Sequence, residues 1–100
     1  MLDNDELKAK LNTETGRISW DELMPHFARG VVIKVAAELD LVEVAASFAT
    51  DDRERVEGWL KGGELARASD DDARQWSETS PSFWAVVAAP WVLVQGARLQ

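Results

Sequence analysis

The sequence contains no cysteine and only one histidine, His26, in 100 residues. The first absence removes disulfides, thiolate metal sites and thiol catalysis together, and it fits a reducing, cytoplasmic setting. The second leaves His26 without the paired spacing of a metal site. No nucleophile elbow supplies a serine for it to activate, so His26 reads as a partly exposed histidine favoured by the end of a helix. Long apolar runs are also missing. The longest, residues 83–94, falls far short of the roughly 20 residues that a membrane helix needs, so no membrane partner is expected. No charged segment followed by an apolar one opens the chain, and no signal peptide is expected. Positive charge is the remaining scarcity. Eleven basic residues stand against 18 acidic ones, a formal net charge of -7, and that field repels nucleic acid and anionic membrane alike.

With 46% of its residues hydrophobic, the chain reads as a single domain over residues 1–100 with one core. Its centre is the helix-turn-helix of residues 40–68. Leu41, Val44, Ala45 and Phe48 recur at helical spacing, with Asp40 as N-cap, Glu43 reaching back to it, and Leu39 with Val44 as a hydrophobic staple. A second helix follows, with Asp51 as N-cap and Glu54 three residues on. It places Val56, Trp59 and Leu60 on one face and stops at Gly62 and Gly63. Helices are thus expected over 41–49 and 52–61.

Around this centre, Asp3 or Asn4 starts a short N-terminal helix carrying Leu7 and Leu11. Ser19 and Glu22 form a capping box for a helix with Trp20, Leu23 and Phe27, in which Pro25 predicts a kink or break near Met24. Residues 31–35 are β-branched apart from Lys34 and predict a strand. Residues 65–68 predict a second, with Arg67 turned to water. Ser69 and Asp72 cap a helix carrying Ala73 and Trp76. The C-terminal element, residues 83–95, is apolar on both faces, as a strand covered on both sides would be, and Pro90 must bulge it or split it in two.

The pattern Glu43, Val44, Ala45, Val56, Trp59, Gly63 and Leu65 resembles the helix-turn-helix of small excisionase-like and winged-helix DNA-binding proteins. Over nearly its full length the chain resembles a bacterial family of short acidic proteins known only as a domain of unknown function, through LDLVEVA at 39–45, WAVV at 84–87 and PWVLVQ at 90–95. That resemblance implies an α+β, winged-helix-like fold. In it the helix-turn-helix packs on a small, mostly antiparallel sheet, with an extra N-terminal helix and a helix inserted in the wing. It implies no activity.

Each motif that could carry chemistry has a plainer account. Asp70, Asp71 and Asp72 could open a calcium loop, but Gln75 and Pro81 stand where that motif needs glycine and glutamate, so helix capping explains them. Gly58 and Gly63 have the glycine spacing of a phosphate loop, but Glu64 and Leu65 replace its lysine and hydroxyl. The five tryptophans fall on helix stripes and in the apolar last element, which favours core packing over base stacking; an exposed Trp84 or Trp91 would instead mark a partner surface. The outward face of the second helix carries Glu54, Glu57 and Lys61. Its arginines, Arg53 and Arg55, are expected to pair one turn away, Arg53 with Glu57 and Arg55 with Asp51, as is Lys61 with Glu57.

The reading is therefore a non-enzymatic protein-interaction module with no cofactor, no metal and no nucleic-acid partner. Its candidate surface is Glu54, Glu57, Lys61, Trp84 and Trp91, and its partner is a second copy, as a homodimer, or another protein. A DNA-binding regulator of winged-helix type is the alternative, and a small carboxylate-dependent enzyme or ligand-binding protein stands third.

Overall fold

Two apolar faces of one sheet organise the molecule. The computed structural model describes residues 4–96, and among them the order is α1 (Asn4–Glu14), β1 (Gly16–Ser19), α2 (Trp20–Ala28), β2 (Val32–Val35), α3 (Leu41–Ala49), α4 (Arg53–Lys61), β3 (Leu65–Arg67), α5 (Asp70–Thr79), β4 (Ser82–Ala88) and β5 (Trp91–Gly96). The fold is α+β. Its five strands form one mixed sheet in the order β1-β4-β5-β2-β3. Three neighbouring pairs are antiparallel, and β2 with β5 is parallel, Ile33 opposite Leu93.

The two central strands have helices on both sides, and this is why they are apolar without alternation. Ile33, Val35 and Leu93 join Leu11, Leu41, Val44 and Leu65 under α1, α3 and α4. Val32, Val92 and Val94 join Trp20, Leu23 and Phe83 under α2 and α5. The second cluster is aromatic: Trp76 lies with its ring centroid 5.4 Å from Trp20 and 4.8 Å from Phe83, and Trp20 lies 5.7 Å from Phe27.

The capping boxes at Ser19 with Glu22 and at Ser69 with Asp72 both form, each side chain serving the other's backbone N–H. Asp40 caps α3 by accepting from the N–H groups of Val42 and Glu43. The Glu43 side chain does not reach back as expected; it turns to Arg55 at 3.4 Å and Lys8 at 3.8 Å. Asn4 is already helical, and Asp3 lies outside the described residues.

Several expectations are corrected. Asp52, not Asp51, is the N-cap of α4, because Asp51 takes the left-handed conformation, φ 57°, that closes α3. The N–H of Asp51 donates to Phe48 O and that of Asp52 to Ser47 O, a Schellman ending in which a short Asx side chain stands where glycine is usual. Gly30 and Gly63 end α2 and α4 in the same way. Helix α2 runs unbroken through Pro25; the missing N–H deprives the carbonyl of Asp21, an exposed residue, of its helix donor.

Leu60 is 46% exposed, since the apolar residues of α4 that pack on the core are Val56 and Trp59. The C-terminal element is two strands joined by a two-residue turn of Ala89 and Pro90. Of these two strands, β5 is the one covered on both faces. On β4, Trp84 is 42% and Val87 58% exposed, so Trp84 is not a core residue, and Arg17 of the neighbouring edge strand lies over its ring at 5.3 Å. Strand β1 carries too little apolar pattern to announce itself and is ordered by pairing with β4.

Asp72 shows how α5 is fixed to the sheet. Its carboxylate meets Lys34 of β2 at 2.8 Å while accepting from the Ser69 N–H and hydroxyl. Burial pushes its pKa up, but the hydrogen bonds from Lys34 and Ser69 with the charge of Lys34 outweigh this and hold it below the ordinary 3.8. A lowered carboxylate contributes fully above its unfolded value and loses that contribution as pH falls through the folded one. Asp72→Asn is therefore expected to lower stability by about 1–2 kcal/mol at neutral pH. The gap should narrow in acid, where the parent carboxylate is protonated as well. Urea melts of both proteins at neutral pH and at a pH well below the ordinary 3.8, under the lowered folded value, check this; a gap unchanged there counts against it.

Candidate functional site

The Schellman turn between α3 and α4 and the β4–β5 turn face each other across a groove of about 410 Å³. Its apolar wall is Phe48 at the end of α3, Val56 on the inner face of α4, and Ala88, Ala89, Pro90 and Trp91 from the hairpin. Each side chain is there for a local reason. Phe48 is the last apolar position of the α3 stripe, so it reaches past the core. Trp91 opens β5 and points with Leu93 toward the α3 side. Pro90 occupies the turn, where its lack of an N–H costs no ladder bond.

The rim is charged. Asp51, Asp52, Arg53 and Glu57 line it, and Arg53 is already met by Asp51 at 3.4 Å. That pair is exposed on both sides and holds weakly. The Asp52 carboxylate serves the N–H of Arg55. The rim is thus acidic around an apolar and aromatic floor.

Of the sequence-predicted surface, the groove brings together Glu57 and Trp91. Glu54 and Lys61 lie exposed elsewhere on α4, and Trp84 lies near the β1 edge under Arg17. The three expected ion pairs along α4 do not form: Arg53 meets Asp51, and Arg55 crosses to Glu43 on α3 with its guanidinium 5.0 Å from the Trp59 ring. Phe48 and Val56 were legible only as core, and Pro90 only as a strand breaker. The role of Gln95 carried no signal. Its amide donates to the carbonyls of Ala36 at 2.8 Å and Leu39 at 2.7 Å, pinning the loop that delivers Asp40 to the start of α3.

His26 sits on α2, across the sheet from the groove, 3.3 Å from Arg29 through Nδ1. Ser47 is buried, and its hydroxyl donates to the carbonyl of Glu43. No helix among the described residues is long and apolar enough to cross a membrane.

Comparison with solved structures finds the solution NMR structure of PA1075 from Pseudomonas aeruginosa, 52% identical, with a TM-score of 0.79 over 94% of this chain and 91% of that one. No curated protein matches the chain. A family profile described as a protein of unknown function, DUF2288, matches residues 6–96. The chain belongs to the DUF2288 family.

Proposed function

We propose that this domain is a non-enzymatic, cytoplasmic protein-interaction module. Its groove receives an apolar side chain flanked by a cation from an extended segment of another protein. The observation that carries the reading is the pairing of an aromatic and apolar floor, Phe48, Val56 and Trp91, with a rim of Asp51, Asp52 and Glu57. An apolar residue fills the floor, and its basic neighbour meets the rim and displaces the exposed Arg53 from Asp51.

A second copy of the chain fits less well. The last strand is central instead of lying at an edge, and the edge strands β1 and β3 are short and carry Arg17 and Arg67, features that discourage edge pairing. The groove also offers little for catalysis, because the Ser47 hydroxyl is committed to a backbone carbonyl.

A winged-helix reading of α3 and α4, with DNA as the ligand, has the helix pair in its favour and the charges against it. Arg53 and Arg55, the arginines of α4, each stand within 3.4 Å of a carboxylate, while DNA affinity rests on neutralising phosphates.

The test uses the full chain labelled with nitrogen-15. The probe peptides are capped Lys-Leu-Leu-Lys and capped Glu-Leu-Leu-Glu, and a duplex DNA is titrated at low salt. The basic peptide is expected to shift Phe48, Asp51, Glu57 and the Trp91 indole saturably, and the acidic one to bind at least about tenfold more weakly. Equal response to both peptides, or shifts elsewhere, would sink the groove reading. Micromolar DNA binding that weakens steeply with salt would replace it with the regulator.

A further inference from the structure

A second cavity, about 370 Å³, lies between the end of α2 and the β3–α5 junction. It carries charge of both signs. Arg29 and Arg67 line it, as does Asp70, over an apolar floor that includes Phe27, Val32 and Ala68.

What sets these charges apart is their partners. Of the three consecutive aspartates, Asp72 is held by Lys34 at 2.8 Å and Asp71 by Arg74 at 3.6 Å, while Asp70 meets no cation among the described residues. The Arg67 guanidinium donates to the carbonyl of Gly30 and lies 5.6 Å from the Trp91 ring. Arg29 faces the His26 ring at 3.3 Å. Neither arginine meets a carboxylate among the described residues. Two cations and an anion therefore share one cavity without closing on each other, in a chain whose other carboxylates outnumber its cations.

The geometry is also kept open for Arg67. Gly30 sits at φ +73°, where a side chain is strained, and a Cβ there would stand 3.1 Å from Arg67 Nη2 and press on the guanidinium.

We propose that this cavity binds a small amino-acid-like zwitterion. Arg29 and Arg67 take its carboxylate, since guanidinium groups present paired donors to carboxylate oxygens. Asp70 takes its ammonium, and the Phe27 and Val32 floor takes an aliphatic side chain. The volume lies within the range of small-ligand sites. The lining charges are exposed, so the affinity is modest and specificity comes from needing both ends of the ligand at once.

Three isosteric probes separate the contributions: L-leucine, 4-methylpentanoate, which lacks the ammonium, and 3-methylbutylamine, which lacks the carboxylate. Titrated into the nitrogen-15-labelled full chain, leucine is expected to shift Gly30, Val32, Ala68 and Asp70 saturably. Each truncated probe should bind at least about tenfold more weakly, the equivalent of one lost charged contact. Arg29→Gln and Asp70→Asn change exposed residues and should leave the rest of the spectrum in place while weakening leucine by about fivefold or more. No saturable shift with leucine would overturn the proposal. So would 4-methylpentanoate binding as tightly as leucine, or Asp70→Asn leaving leucine unaffected, since either makes this a bare oxyanion site. Arg29 and Asp70 line no part of the α4 groove, and their variants leave Arg67, which lies over the Trp91 ring, in place, so their result stands apart from the peptide titration.

Discussion

Replacing Leu93 by alanine is expected to cost the fold about 3–5 kcal/mol. Leu93 is fully buried at the middle of β5, flanked by β4 through Val86 and by β2 through Ile33, and it belongs to the cluster under α1, α3 and α4. Truncation leaves a cavity where three elements meet and none can collapse without moving the parallel pair. Domains are stable by roughly 5–15 kcal/mol in all, so this one change removes a large share. A urea series should show a lower midpoint with an unchanged slope, the signature of a stability change within an intact fold. Leu60→Ala is the control. At 46% exposure it should stay within about 0.5 kcal/mol of the parent. A Leu93→Ala loss under about 1 kcal/mol, or a Leu60→Ala loss of equal size, would contradict the assignment of the core.

How far the sequence disclosed this fold depended on how local each signal was. The caps at Ser19, Asp40 and Ser69 were legible because a capping side chain serves N–H groups within three residues. The helix pair over 41–49 and its successor were legible for the same reason, through stripes set by 3.6-residue spacing. Leu60 fits its stripe as well as Val56 does and yet faces water, because the width of the contact under a helix is decided by its neighbours. Whether a tryptophan is covered likewise depends on distant chain: Trp20 lies under α5 through Trp76, while Trp84, between Arg17 and Gln95, stays 42% exposed. The parallel pairing of β2 with β5 joins residues 60 apart in sequence, Ile33 with Leu93, and no periodicity carries that information.

The two cavities differ in legibility for a related reason. Glu57 and Trp91 could be singled out as exposed charge and as tryptophan, but their juxtaposition depends on the α3–α4 turn closing at Asp51 and the hairpin turning at Pro90. Asp51 was misread because its side chain suits an N-cap as well as a left-handed C′ position, and Asp52 beside it suits the cap equally. The second cavity needed Arg29, Arg67 and Asp70 brought together from three elements, and in sequence each looked like an ordinary surface charge.

Trp20→Ala is expected to lose about 3–5 kcal/mol, matching the effect of Leu93 from the opposite face of the sheet. Trp20 is 4% exposed. Its ring contacts Phe27 on its own helix and Trp76 on α5, and its indole N–H donates to the Ser77 hydroxyl at 3.1 Å. Removing it takes away much of what holds α2 and α5 together, since the two helices meet through few other groups. Trp20→Phe separates the contributions. It keeps an aromatic ring for the tilted contact with Trp76 and gives up only part of the buried area and the hydrogen bond. Ser77 is exposed and can turn to water, so the lost bond itself should cost about 1 kcal/mol, with a further loss for the smaller ring. The expected order is parent, then Trp20→Phe about 1–2 kcal/mol lower, then Trp20→Ala about 3–5 kcal/mol lower. Hydrogen exchange adds a readout that bulk stability does not, because α5 is tied to the sheet independently through Asp72 and Lys34. In Trp20→Ala, amides of α2 and α5 should exchange faster than those of α3 while the global fold persists. Uniform acceleration across both faces would show that the two clusters unfold as one unit, and equal stability of the Phe and Ala variants would show that a ring at this position, with its contact to Trp76, contributes nothing to stability.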